Sequence, residues 1–178
     1  MGMTRGKVSP EKCDRRNPIG GQIRIICMSQ TKEVISTLNS VIETLKDGQE
    51  GFRQAAEAVK DSQLKTLFSE FSLQRSKFAG ELQSHIIQMG DSNPEDTSST
   101  AGALHRAWIN MKAAITSSDD HAILSECERG EDSAVAEYKK AMEAELPSPA
   151  RDLISRQYTD IKAAHDKVRA MRDAAKKS

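Results

Sequence analysis

Five residues have side chains of the kinds that bind iron or manganese in helical proteins: Glu131, His165, Gln49, Glu81 and His85. Carboxylate-bridged di-iron bundles take one glutamate from each of two helices and a Glu-x-x-His motif from each of the other two. The nearest match here is Glu81 with His85, whose spacing is one residue too long, although both side chains still share a helix face. A metal site would therefore need ligands gathered from several helices.

The same region also predicts a purely structural arrangement. Arg75 and Glu131 lie on apolar stripes, that is, among the regularly spaced apolar residues along one face of a predicted helix. A charge buried there requires a partner or a shifted pKa. Gln49, Gln74 and Gln157 lie on or beside such stripes at a similar height. We interpret these five residues as one hydrogen-bonded polar layer that fixes the register of the helices. A metal or ligand site, and simple exposure at a splayed bundle end, are the alternatives.

Two glycines, Gly48 and Gly130, occur at equivalent places inside predicted helices, where glycine costs about 1 kcal/mol relative to alanine. Either they open room for a polar side chain or a close helix approach, or they are tolerated packing residues.

Other catalytic signals are weak, so the sequence favours a non-enzymatic protein. No glycine-rich phosphate loop follows a strand, and no Ser/His/Asp arrangement is recognisable. Cys127, near Leu124 on a stripe, is interpreted as a small core residue. The basic residues near the C-terminus are interpreted as a solvated helix face; they are Lys167, Arg169, Arg172, Lys176 and Lys177.

The elements that must position these residues are four long helices. Apolar residues recur at alternating steps of three and four, the spacing of packed and nearly antiparallel bundle helices. The stripes run over 34–59, 64–89, 124–145 and 150–175, and the second includes Phe71, Phe78, His85 and Met89. The sequence therefore predicts an all-α four-helix bundle.

The connections predict two antiparallel hairpins. Asp61 or Ser62 caps the second helix after a short link, and Ser148 with Pro149 begins the fourth. Between the hairpins, residues 91–99 form a polar loop and about 100–116 a short extra helix, before the third helix starts near Asp119. One long crossover of this kind is the connectivity of ferritin-like folds.

Residues 1–28 differ from the rest because glycine, proline and basic residues occur there without a helical period. We interpret 1–28 as a disordered or non-native tail and 29–178 as the bundle domain, with Ser29 or Thr31 capping the first helix.

Composition narrows the function classes. Lys+Arg and Asp+Glu are both 26, so the basic surplus of a nucleic-acid-binding protein is lacking. The apolar run 23–28 is too short for a membrane span or a signal peptide, and Arg24 interrupts it. Three cysteines without CxxC spacing favour free thiols in the cytoplasm over a disulfide framework.

Several segments resemble a bacterial ferritin-like four-helix-bundle family of unknown function (domain of unknown function 2383), over about 29–175. The most specific are 126–132 (ECERGED) and 101–106 (AGALHR), supported by 46–48 (KDG). The resemblance implies a compact cytoplasmic bundle without an established activity. In that family the residue after the first glycine is commonly Glu, whereas this chain has Gln49, which weakens a di-metal site.

Three functional hypotheses follow. The first is a non-enzymatic bundle, with a stress-related role as one option, that acts through self-association, such as a homodimer, or through an unknown protein partner. The second is a metal-binding or redox protein that uses iron or manganese at Glu131 and His165, with Gln49, Glu81 and His85 as contributors. The third is a small-molecule module, which requires a cavity in the core.

Overall fold

The computed structural model describes residues 20–96, 115 and 119–175, with side chains from Gln30 onward. This part of the chain forms four helices and no strand: α1 (Gly20–Ala58), α2 (Ser62–Gln88), α3 (Asp120–Glu143) and α4 (Ser148–Ala175). The predicted all-α four-helix bundle is therefore confirmed.

The helices pack in a ring. α1 contacts α2, α3 contacts α4, α1 contacts α3 and α2 contacts α4, so α1 with α4 and α2 with α3 are the two diagonals. The backbone amide of Lys60 lies 3.4 Å from an Asp120 carboxylate oxygen, which places the end of α1 beside the start of α3. As a result, α2 and α3 run in the same direction, and the chain must travel the length of the bundle between them.

Residues 91–96 begin this return along the groove between α1 and α2. The amide of Glu95 donates to Asn39 Oδ1 (3.0 Å), and Lys46 Nζ donates to Asp96 Oδ1 (2.9 Å). The extra helix predicted for about 100–116 lies outside the described residues except for Ile115, which is helical and packs against the core.

Local capping explains where α2 and α3 start. The Asp61 carboxylate accepts from the amides of Gln63 (2.7 Å) and Leu64 (2.9 Å), as predicted. Asp119 accepts from the amide of His121 at 3.0 Å. Each aspartate satisfies amides that the first turn of a helix leaves free.

The predicted start of the first helix at Ser29 or Thr31 is wrong, because α1 already begins at Gly20. Pro18 is the last residue in this region that would break a helix, and 22–28 contains neither glycine nor proline. Residues 1–19 lie outside the described part, so a disordered tail stays a prediction there.

The core follows the predicted stripes with one systematic deviation. In α2, Phe71 and His85 are only partly buried, as is Met89 just after the helix, whereas Leu67 and Ile86 are buried. A straight α-helix has 3.6 residues per turn, so its interior face drifts away from a strict repeat of 3.5. The third stripe was predicted to reach Glu145, but α3 ends at Glu143 and Glu145 is exposed.

This difference in burial gives a stability prediction. Phe78 is 3% exposed, so Phe78→Ala should lower the free energy of unfolding by about 3–5 kcal/mol. Phe71→Ala should cost less because its ring is partly exposed, and Leu73→Ala, at a residue 72% exposed, should stay within about 0.5 kcal/mol. Urea denaturation measures all three; equal losses at Phe78 and Leu73 would refute this assignment of the α2 core face.

Candidate functional site

A buried ion pair lies at the centre of the bundle. α2 places Arg75 and α3 places Glu131 in the interior, each 1% exposed, and Arg75 Nη2 donates to Glu131 Oε2 at 2.5 Å. Because α2 and α3 lie on a diagonal, this contact crosses the bundle axis.

Neighbouring groups hold the arginine in place. Its Nη1 donates to Gln74 Oε1 at 2.5 Å, and its guanidinium carbon lies 5.6 Å from the centroid of the Phe52 ring, a cation–π distance. A Cβ added at Gly48 would contact Arg75 Cγ at 3.6 Å, whereas one added at Gly130 would meet nothing. Of the two glycines, only Gly48 therefore lies against the polar layer.

Burial is the largest cause of the pKa shifts of Glu131 and Cys127. Burial raises the pKa of the Glu131 carboxyl, and the Arg75 guanidinium opposes that rise. Burial also raises the pKa of the Cys127 thiol well above its ordinary value, and the Glu131 charge adds to the effect. Cys127 therefore stays a protonated core residue rather than a reactive thiolate.

Gln157 on α4 organises a second group of hydrogen bonds. It is fully buried, its Oε1 accepts from the Tyr138 hydroxyl (2.7 Å), and its Nε2 donates to Glu81 Oε2 (2.9 Å) and to the Phe78 carbonyl (3.3 Å). Arg156 Nη2 also donates to Glu81, at 2.8 Å. The amide thus links α4 to both α2 and α3.

Gln49 differs from the other residues predicted for the layer. Its side-chain Oε1 is buried without a hydrogen-bond partner, while its backbone carbonyl accepts from the Ser72 hydroxyl at 2.9 Å. The structure therefore joins Gln74, Arg75 and Glu131 directly, places Gln157 in a separate group, and gives the Gln49 amide oxygen no bond to either.

His165 lies in the groove between α3 and α4, where acidic side chains flank it. Its Nε2 is 2.9 Å from Asp132 Oδ1 and its Nδ1 is 2.9 Å from Asp166 Oδ1. Lys162 and then His165 lower the pKa of the Asp166 carboxyl. Both ring nitrogens of His165 are thus engaged by aspartates.

Sequence reasoning missed two interior contacts. The third apolar stripe, over 124–145, predicts that Tyr138 is buried but assigns no partner to its hydroxyl; a buried tyrosine hydroxyl usually finds one, and Gln157 is that partner. Arg172 was assigned to a solvated face, but it is only partly exposed and pairs with the buried Glu128. The signal for the second pair was the surplus of acidic residues in the segment 126–132.

The metal-ligand candidates Glu131, Glu81 and His165 take part in three separate groups of hydrogen bonds. Within the described residues, no three histidine, cysteine, aspartate or glutamate side chains are grouped to hold an ion. Glu131 is bound by Arg75, Glu81 by Arg156 and Gln157, and His85 Nε2 is buried without a hydrogen-bond partner. A guanidinium supplies the counter-charge that a divalent cation would give to Glu131, so the donor set does not fit a di-metal centre.

Residues 33–144 match the family described as Domain of unknown function (DUF2383). The chain belongs to this family. The DUF2383 region contains Arg75 and Glu131 but ends before α4, which carries Gln157 and His165. No curated protein matches the chain.

Among the described helices, none combines the length and apolar character needed to cross a bilayer.

The central ion pair of this DUF2383 protein can be tested with a double-mutant cycle. Arg75→Met or Glu131→Met alone should cost about 3–5 kcal/mol, because Glu131→Met leaves the Arg75 charge buried without a partner and Arg75→Met leaves a buried carboxyl that must take up a proton in the folded state. The double variant should recover most of that loss, since two apolar side chains need no compensation. Arg156→Met, which removes a partly exposed ion pair with Glu81, is the control and should cost less than about 1 kcal/mol. Additive losses in the double variant would contradict the pairing.

The pair also predicts a pH dependence. Without the Arg75 charge, burial favours the protonated form of Glu131 in the folded state. In the unfolded chain the carboxyl ionises at the ordinary pKa of a glutamate, about 4.3. As the pH rises above about 4, the unfolded chain releases the Glu131 proton and the folded variant does not, so the unfolded state becomes progressively less unfavourable. The stability deficit of Arg75→Met relative to the wild type should therefore grow towards pH 7. Denaturation at several pH values measures this deficit. The double variant Arg75→Met/Glu131→Met should show no such growth, and an equal slope in both would refute this origin.

Proposed function

We propose that this chain is a non-enzymatic, ferritin-like bundle that acts through contacts of its surface with another protein chain, either a second copy or a different partner. The ferritin-like assignment is supported by two antiparallel hairpins joined by a connection that must return along the bundle. A cytoplasmic, bacterial setting belongs to the same proposal, with the free thiol of Cys127 and the family resemblance as its support.

The observation that carries the proposal is that the buried charges of Arg75 and Glu131 and the buried Gln157 amide are bonded to other protein groups, although Gln49 Oε1, Arg75 Nε and His85 Nε2 are buried without a hydrogen-bond partner. The Glu131 charge is paired with Arg75, and Gln157 is bonded to Tyr138 and Glu81. A catalytic or redox centre needs donors aimed at a place where substrate or metal can bind. Here the strongest interior donors and acceptors are directed at one another, which favours a structural role for the layer.

The outer surface offers a different kind of feature. Among the described residues, the exposed large hydrophobic side chains are Leu73 and Ile87, at 72% and 55% exposure, and both lie on α2. Single exposed apolar residues are ordinary, but two on one helix face suit a contact with another protein.

Metal analysis tests this function against a metal-binding or redox role. Protein purified without added metal should contain iron and manganese well below one equivalent per chain. Glu131→Gln and His165→Ala should leave that content unchanged, because Arg75 and two aspartates already occupy these side chains. Stoichiometric iron or manganese that is lost in both variants would overturn the proposal.

A further inference from the structure

The outward face of α1 is buried towards the C-terminal end of the helix, although it points away from the core. At about 100° per residue, one row of residues lies on this face, and none of them is exposed: Asp47, Gly51, Gln54 and Ala58. Gln54 is only 8% exposed. The outward row of α2, in contrast, is exposed at Thr66, Leu73, Lys77 and Ser84. Since α2 and α3 lie against the flanks of α1, a further part of the chain must cover its outward row.

The first two turns of α3 show the same burial. Ala122 and Glu126 point away from the core, yet Ala122 is partly buried and the Glu126 side chain is only 14% exposed. Further along α3, Ala136 on the outward side is exposed. Glu126 and Gln54 are level with each other, because they lie equally far from the point where α1 ends beside the start of α3. The outward row of α1 and the outward start of α3 therefore form one continuous area, which we call the covered face.

The chain enters and leaves this area at defined places. Asp96 is held at one end by Lys46 and Gln83, and Ile115 packs at the other end against the core cluster that includes Val59. Along α1, the distance from Lys46 to Val59 is about 20 Å at ~1.5 Å rise per residue. Residues 97–114 would span up to about 27 Å as a helix, so they are long enough to cross it with a turn to spare.

We propose that residues 97–114 dock on the covered face, crossing the outward side of α1 and ending in the groove between α1 and α3. The other available route, the groove between α1 and α2 at the same height, is open. The side chains of Arg53 and Glu57 on that side are 50% and 66% exposed, and Leu73 across the groove is 72% exposed. The inference goes beyond the proposed function, because it withdraws the outward face of α1 from any partner and leaves that of α2 accessible.

The composition of this segment suits the covered face. In the helix predicted there, Leu104, Trp108, Met111 and Ile115 share one side and can pack on small residues such as Gly51, Ala58 and Ala122.

The charges are complementary as well. The covered face contains the carboxylates of Asp47 and Glu126, whereas residues 97–114 contain Arg106 and Lys112 and no acidic residue. Opposite charges that approach in a partly buried contact favour the pairing of these two surfaces over others.

Trp108, the single tryptophan of the chain, can report this contact. The proposed segment runs in the same direction as α1, and Trp108 lies seven residues before Ile115, or about 10 Å further back along the axis. This position is level with Glu50, whose half-exposed side chain borders the covered face.

Quenching of Trp108 fluorescence by a nitroxide label tests the route. In a background with Cys13 and Cys27 replaced by serine, a label on Glu50→Cys should lower the Trp108 emission several-fold relative to its diamagnetic analogue, because the quencher acts at short range. A label on Leu73→Cys, at about the same height but in the open groove, is the matched control and should have a much smaller effect. Equal quenching from both positions, or stronger quenching from Leu73→Cys, overturns the proposal.

Removal of the apolar anchors tests the same contact in the opposite sense. The Gln54→Cys thiol should react slowly with a soluble thiol reagent, and Leu104→Ser/Trp108→Ser in the same chain should raise its rate several-fold by uncovering the face. Leu73→Cys should react at one rate with or without these two changes, and the buried Cys127 should stay unreactive as a check that the bundle remains folded. A Gln54→Cys rate that the two serines leave unchanged refutes the docking.

Discussion

The ion pair between Arg75 and Glu131 constrains the whole interior, because neither charge can be buried unless the other lies within hydrogen-bond distance. The two residues come from diagonal helices, α2 and α3, whose backbones are not neighbours in the ring. Their contact therefore fixes the relative height of the two hairpins at mid-bundle. Phe52 and Gly48 on α1 then fit around the arginine side chain, so three helices are positioned by one guanidinium.

This constraint also shapes the functional proposal. In a metal-binding bundle, cations neutralise the carboxylates that face the interior. Here Arg75 neutralises Glu131, and Gln49 provides an amide where the family resemblance leads us to expect a second carboxylate. The interior is thus arranged for stability and register. In the proposed function, contact with another chain then depends on the surface, where the exposed large hydrophobic side chains of the described residues, Leu73 and Ile87, lie on α2.

Much of the fold could be predicted because an apolar repeat determines which side of each helix is buried. For the same reason, the sequence could predict that Arg75 and Glu131 lie in one polar layer. It could not predict the hydrogen-bond partners of His165 and Gln157, because contacts between neighbouring helices depend on the rotation and height of each helix, which an apolar repeat does not determine. The start of α1 was missed because the segment before Ser29 forms a helix despite its weak period.

A crystal structure determined from protein crystallised with added Mn²⁺, using anomalous scattering, tests the central claim most directly. The account predicts that the Arg75 guanidinium lies against the Glu131 carboxylate and that the anomalous map shows no peak in the polar layer. An anomalous peak coordinated by Glu131 and His165, with Arg75 turned away from the carboxylate, would contradict it.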